Sequence, residues 1–178
     1  MRHISAHLFS SIDGQVETPN TFQFGLFGPD EAEMMTSTMA RVDTAIMGAT
    51  IYREWSEYWP GKTDDFGPII NPMRKFVAST TLTEPLSWEN SLLIHADLVD
   101  FTRSLKEKEG GGITVFGISM IRQLLMAGLV DTLHLTIHPA GAGAGKRLFD
   151  GIQEPVRLEL VDSKASSMGN LLLTYRLR

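Results

Sequence analysis

One change of rhythm constrains the fold of this chain more than any other feature. Up to residue 129, short apolar runs ending in small residues alternate with segments of helical period, and beyond it only strand-like runs remain. Alternating strands and helices dictate parallel βαβ units, whereas strands in direct succession pair antiparallel. The first strand is read at 2–10, where Ile4, Ala6 and Leu8 alternate with His3, Ser5 and His7, and a turn follows at Asp13 and Gly14.

The segment GPDEAEMMTSTMARV reads as a helix, with Asp30 and Glu33 at capping-box spacing and Met34, Met35, Thr38, Met39 and Val42 on one face. Strand DTAIMG and helix ATIYREWSEYWPG follow, the latter stopped by Pro60 and Gly61, and residues 62–72 read as loop. Two further strands, RKFVAS and SLLIH, precede a helix capped by Asp97 that turns Leu98, Phe101 and Leu105 inward. Strand GITVFG then runs into ISMIRQLLMAGL, apolar nearly all round and so a buried helix, ended by Gly128. DTLHLTIHP, PVRLELVD and NLLLTYRLR close the chain as a β-meander. The expected fold is a three-layer α/β/α domain over 1–178, with a mixed, mostly parallel sheet of about eight strands and a C-terminal antiparallel meander.

Composition narrows the function. Twenty-one acidic against sixteen basic residues, a formal charge of -5, argue against a nucleic-acid partner. No cysteine is present, which excludes disulfides and thiolate chemistry. The start, MRHISAHLFSSIDG, has polar residues in every apolar run, unlike a signal peptide, and no stretch holds the roughly 18 apolar residues of a membrane span. A soluble cytoplasmic protein is expected.

PAGAGAGKRLF, residues 139–149, invites a P-loop reading and fails it. Ala140 stands where the first glycine belongs, Arg147 replaces the hydroxyl residue, and no long helix follows. Three other stretches place small residues at the C-terminal ends of parallel strands, where open α/β sheets bind ligands: MGAT (47–50), ASTT (78–81) and VFGIS (115–119). Gly48 and Gly117 each separate an apolar strand from a helix, which leaves helix N–H groups open to a pyrophosphate, and Thr50, Ser79, Thr80 and Ser119 add hydroxyls.

The order SSIDG, AIMGATIY, KFVASTTL, ITVFGISMIRQLLMAGLVDTLHLTIHP, GAGKRLF resembles the C-terminal reductase domain of bacterial riboflavin biosynthesis, within the dihydrofolate-reductase-like superfamily. The resemblance implies a dimeric NADPH-binding reductase. Its dinucleotide contacts would fall on Gly48, Ala49 and Thr50, on Ser79 and Thr80, and on Gly117, Ile118, Ser119, Met120 and Ile121. It also implies a small heterocyclic substrate of pyrimidine or pterin type. Dihydrofolate reductases commonly carry an arginine after the first glycine, for the cofactor 2′-phosphate. Here Ala49 holds that place, so NADH is not excluded, and Arg53, Arg74 or Lys75 are the basic residues available instead. Ile118 stands where a second glycine is common, and a fold kept for binding without turnover is the alternative function.

Hydride transfer to a C=N or C=O group calls for a proton donor, and a carboxylic acid needs burial to keep its proton. Asp13, after the first strand, and Glu31 or Glu33, on the first helix, are the acids near the expected site; Asp13 and Glu33 are the catalytic candidates. Phe22, Phe24, Tyr52, Trp55 and Trp59 are aromatic residues suited to walling a flat heterocycle. His134 and His138, about 13 Å apart on a strand, are not expected to share a metal ion. The apolar faces of 131–138 and 155–178, with an open edge, suit a homodimer.

Overall fold

The computed structural model describes residues 1–63 and 66–177. Its elements are β1 (Ile4–Ser11), α1 (Pro29–Met39), β2 (Val42–Gly48), α2 (Ala49–Tyr58), α3 (Gly67–Ile70), β3 (Arg74–Ala78), β4 (Ser91–Ile94), α4 (Leu98–Glu107), β5 (Gly112–Phe116), α5 (Ile118–Met126), β6 (Thr132–His138), β7 (Leu158–Ala165) and β8 (Leu171–Leu177). The loop expected over 62–72 contains α3; residues 64 and 65 of that stretch, and residue 178, lie outside the described residues.

One eight-stranded sheet runs in the order β4-β3-β2-β5-β1-β6-β8-β7. From β4 to β6 every neighbour is parallel, so the C-terminal ends of these strands share one edge. Alternation along the strands divides the interior in two. Ile4, Ala6, Ile46, Ile113 and Val115 face α4 and α5, whereas Ala45, Met47 and Val77 face Tyr52 of α2 and Ile70 of α3. Both faces of the parallel strands are thus covered, as the near-continuous apolar runs require.

The expected antiparallel C-terminal strands are present, but they do not form a meander. β8 lies between β6 and β7 and is antiparallel to both. β7 therefore runs in the same direction as β6, and residues 139–157 must carry the chain back along the sheet before β7 begins, a connection too long for a hairpin.

Helix termini follow local chemistry. The Asp97 carboxylate accepts the N–H groups of Val99 and Asp100, capping α4. In α1, Pro29 occupies the first helical position, so Gly28 is the cap and the returning carboxylate is that of Glu31, which accepts the Gly28 N–H at 2.8 Å. The expected Asp30–Glu33 capping box is thus displaced by two residues.

Candidate functional site

The sheet order brings two of the three small-residue strand ends together. β2 and β5 are neighbours with Met47 level with Phe116, so the residues that follow, Gly48 and Gly117, abut at the strand-end edge. Gly117 has φ 96 and ψ 130, and a methyl group built on it would lie 3.6 Å from Ile51 Cγ1 and 3.9 Å from the Gly48 nitrogen. Each glycine precedes a helix, α2 or α5, so two helix N-termini with unpaired N–H groups open at one place.

Around this point Ala49, Ile118 and Met120 are half-buried, and Thr50 and Ser119 are exposed. Ile121 stands apart from the other candidates. Its side chain is fully buried in the core and its N–H already donates to the Gly117 carbonyl at 2.9 Å, so it has nothing to offer a ligand.

The third strand end is adjacent, since Ala78 of β3 is level with Gly48. The Ser79 hydroxyl accepts the N–H groups of Thr81 and Leu82 at 3.1 and 2.9 Å, which folds 79–82 into a tight turn, and Thr80 is exposed beside it. Arg53 reaches from α2 to this turn and donates to Thr81 Oγ1 at 2.7 Å. Of the three basic residues considered for this edge, only Arg53 lies on it. Arg74 starts β3 at the opposite end of the strand, and Lys75 is fully buried with Nζ bonded to the carbonyls of Asn71, Met73 and Glu89.

The acids require correction. Asp13 accepts the Ala142 and Gly143 N–H groups at 2.9 and 2.8 Å and the Ser11 hydroxyl at 2.6 Å. These bonds, that of Ser11 first, hold it far below the usual carboxylate range, so Asp13 is an ionised staple and carries no proton to donate. Glu33 is 77% exposed, 3.9 Å from Lys164 on the outer surface of α1. Glu31 is the buried acid, fully enclosed, with Asn170 Nδ2 at 2.7 Å. Burial pushes it up, yet hydrogen bonds from Ser166, Asn170 and Gly28 outweigh that and leave it lowered, hence ionised. With Pro29 at the first helical position, the i, i+3 register from Gly28 is the sequence signal that selects Glu31 over Glu33.

The glycine-rich stretch is pinned along its length. Gln15 bridges to Arg147, Val16 N–H donates to the Lys146 carbonyl at 2.9 Å, and Lys146 Nζ pairs with Glu17 at 2.5 Å. With its lysine engaged and no helix following, it has no P-loop geometry. Leu148 is buried in the core cluster and Phe149 packs against it.

His7, His134 and His138 form a neutral belt on the sheet face beneath α1. Burial, and then the neighbouring His134, push His7 down to about 3, and burial pushes His134 down to about 4. His7 Nε2 bonds with Thr136 and His134 Nδ1 with Thr174, while His138 is enclosed between Phe9 and Phe22. Among the described residues no grouping of histidines and acids is fit for a metal ion.

The aromatic candidates do not wall a single pocket. Tyr52 belongs to the core, its hydroxyl accepting the Trp88 N–H, and Phe22 is buried against His138. Trp55 lies 4.8 Å from Phe116, the residue before Gly117, with Trp59 and Phe66 behind it. Phe9 of β1 meets Phe27 edge-on at 6.2 Å. Phe9, Phe27 and Phe116 were not singled out in the sequence, because an aromatic at a strand end reads as core.

Known proteins share this fold. The family model described as RibD C-terminal domain matches residues 2–172. The uncharacterized protein YyaP of Bacillus subtilis (strain 168) is 26% identical over 98% of this chain and 94% of its own. A crystal structure of a protein from Shewanella sp. PV-4 named for riboflavin biosynthesis superimposes with a TM-score of 0.80 at 21% identity, covering 99% of each chain. The dihydrofolate reductase of Enterococcus faecalis, solved with NADP(H), superimposes with a TM-score of 0.61 at 15% identity, covering 99% of this chain and 96% of that one.

Proposed function

The chain belongs to the RibD C-terminal domain family, and on that footing we propose that it is an NADPH-dependent reductase that transfers a hydride to a small heterocyclic substrate of pyrimidine or pterin type. The observation that carries this reading is the convergence of Gly48 and Gly117, which leaves two helix N-termini facing one spot that a side chain would fill.

A nicotinamide dinucleotide bound there supplies the hydride. The residues of the chain do the holding. The N-terminal N–H groups of α2, at Ala49 and Thr50, and of α5, at Ile118, Ser119 and Met120, receive the pyrophosphate. The turn at Ser79 and Thr80 receives the adenosine side, where the Arg53 guanidinium favours a 2′-phosphate and hence NADPH over NADH. Hydrogen bonds hold Glu31 and Asp13 in the carboxylate form, so neither supplies the proton that completes reduction.

The active form is a homodimer in this reading, built through β7, the end strand of the sheet, where Leu160 and Val161 are half-exposed. The reaction belongs to the cytoplasm, where nicotinamide dinucleotides are pooled. Among the described residues no helix is long and apolar enough to cross a membrane.

Titration with NADPH and with NADH, followed by nicotinamide fluorescence, tests the proposal. NADPH binds more tightly if it is right, and absence of binding by either at millimolar concentration refutes it. The alternative, a binding protein without turnover, is favoured if NADPH binds but is not oxidised with any of a panel of pterins and pyrimidines.

A further inference from the structure

Residues 23–26 form a hydrogen-bonded turn, with the Leu26 N–H donating to the Gln23 carbonyl at 2.8 Å. Both central residues have positive φ, Phe24 at 47 and Gly25 at 72. This is the φ pattern of a type I′ turn, whose first central position is ordinarily glycine, asparagine or aspartate. A phenylalanine there is strained, and its side chain recovers little inside the protein: Phe24 is 75% exposed.

The turn is not loose. Phe22 on one side is buried against the His138 ring, 5.9 Å away, and the Leu26 carbonyl on the other accepts from Asn170 Nδ2 at 2.8 Å. Phe27 follows, packed on Phe9. These anchors fix the turn over the C-terminal ends of β1 and β6. With Ala6 level with Val115, Leu8 is level with Gly117, so Phe9 stands one strand away from the cofactor edge. Phe9 and Phe116 also share a sheet face, opposite to that of Ala6 and Val115.

A strained, exposed aromatic on a rigid turn beside that edge is explained by a ligand that covers it. We propose that Phe24 is a substrate-contact residue that lies against the flat conjugated ring of the substrate and sets the preference for planar heterocycles. The class of ligand rests on the reductase reading; the placement of Phe24 does not.

Lumazine, a fluorescent planar pteridine, serves as the probe, titrated with and without NADPH into the full chain and into Phe24→Gly and Phe24→Tyr. Loss of one aromatic stacking surface weakens lumazine binding by roughly tenfold in Phe24→Gly, while Phe24→Tyr stays close to wild type and the NADPH affinity of both is unchanged. The melting temperature of Phe24→Gly stays at or above that of wild type, because glycine adopts this φ without strain. A structural plug would give the opposite sign, with lower melting and intact lumazine affinity.

Equal lumazine binding by Phe24→Gly, no lumazine binding by wild type, or a changed oligomeric mass of Phe24→Gly with lumazine affinity intact overturns the proposal. Lumazine binding that depends on Phe24 in a protein that binds neither NADPH nor NADH upholds it and refutes the reductase reading instead.

Discussion

Replacing Gly117 by alanine separates the backbone from the side chain as the source of the cofactor edge. The added methyl would lie 3.6 Å from Ile51 Cγ1 and 3.8 Å from Met120 Cγ, ordinary contact distances, so crowding contributes little. The backbone contributes more, because φ 96 with ψ 130 lies where an L-residue is held at a cost of about 1–3 kcal/mol. Near the middle of that range, and at roughly 2–4 °C per kcal/mol for a chain of this size, the melting temperature falls by about 4–8 °C. A residue relieves such strain by rotating its peptide, which turns the first N–H groups of α5 away from the edge and weakens NADPH by about tenfold or more. Gly48→Ala is the control. Gly48 has φ -86 and ψ 165, open to any residue, and its methyl would sit 3.6 Å from Met120 Cγ, so its stability stays within about 0.5 kcal/mol of wild type. Thermal melts with and without NADPH, alongside fluorescence titration, read both quantities. If the two variants melt alike, or if Gly117→Ala binds NADPH as wild type does, the backbone argument is wrong.

Other perturbations follow from the same geometry. Arg53→Ala lowers the preference for NADPH over NADH by about tenfold, as removal of one exposed charge–phosphate contact should, and the ratio of the two dissociation constants reads this directly. His7 and His134, pushed down to about 3 and 4, take up protons in the unfolded chain near 6.5 but not in the folded one. Stability is therefore full above pH 6.5 and lost as pH falls toward 4, by up to about 1.4 kcal/mol per pH unit for each histidine; His134→Gln flattens this slope in melts run across pH. Asp13→Asn replaces one of the two acceptors that pin the glycine-rich stretch, and amide exchange at Ala142 and Gly143 accelerates while exchange in β1 does not.

The parallel part of the fold was legible because its signals are local. Apolar runs such as AIMG and ITVF end in glycine ahead of a helical period, and that fixes both the strands and the edge where a ligand sits. Strand order at the C-terminus was not legible, since PVRLELVD and NLLLTYRLR carry the same alternation whether β7 or β8 lies next to β6. The acids misled for a related reason. Asp13 looks like a turn residue with a free carboxylate until residues 142 and 143, remote in sequence, are seen to occupy it, and Glu33 differs from Glu31 only in which way one helical turn faces. The strain at Phe24 depends on a backbone angle that no composition rule assigns to phenylalanine.

The placement of β8 also orders events in time. Among the described residues β7 pairs only with β8, which follows it in the chain. As the protein is made, Leu158, Leu160 and Val161 emerge with no strand to receive them, while the six parallel strands can already assemble around α4 and α5. Closure of the sheet waits for residues 171–177 to thread into the gap beside β6, a long-range step of the kind that slows folding and leaves an apolar strand open to other chains in the interval. β8, made after β7, is an interior strand, and the nascent chain is most vulnerable to aggregation in the moments before it arrives.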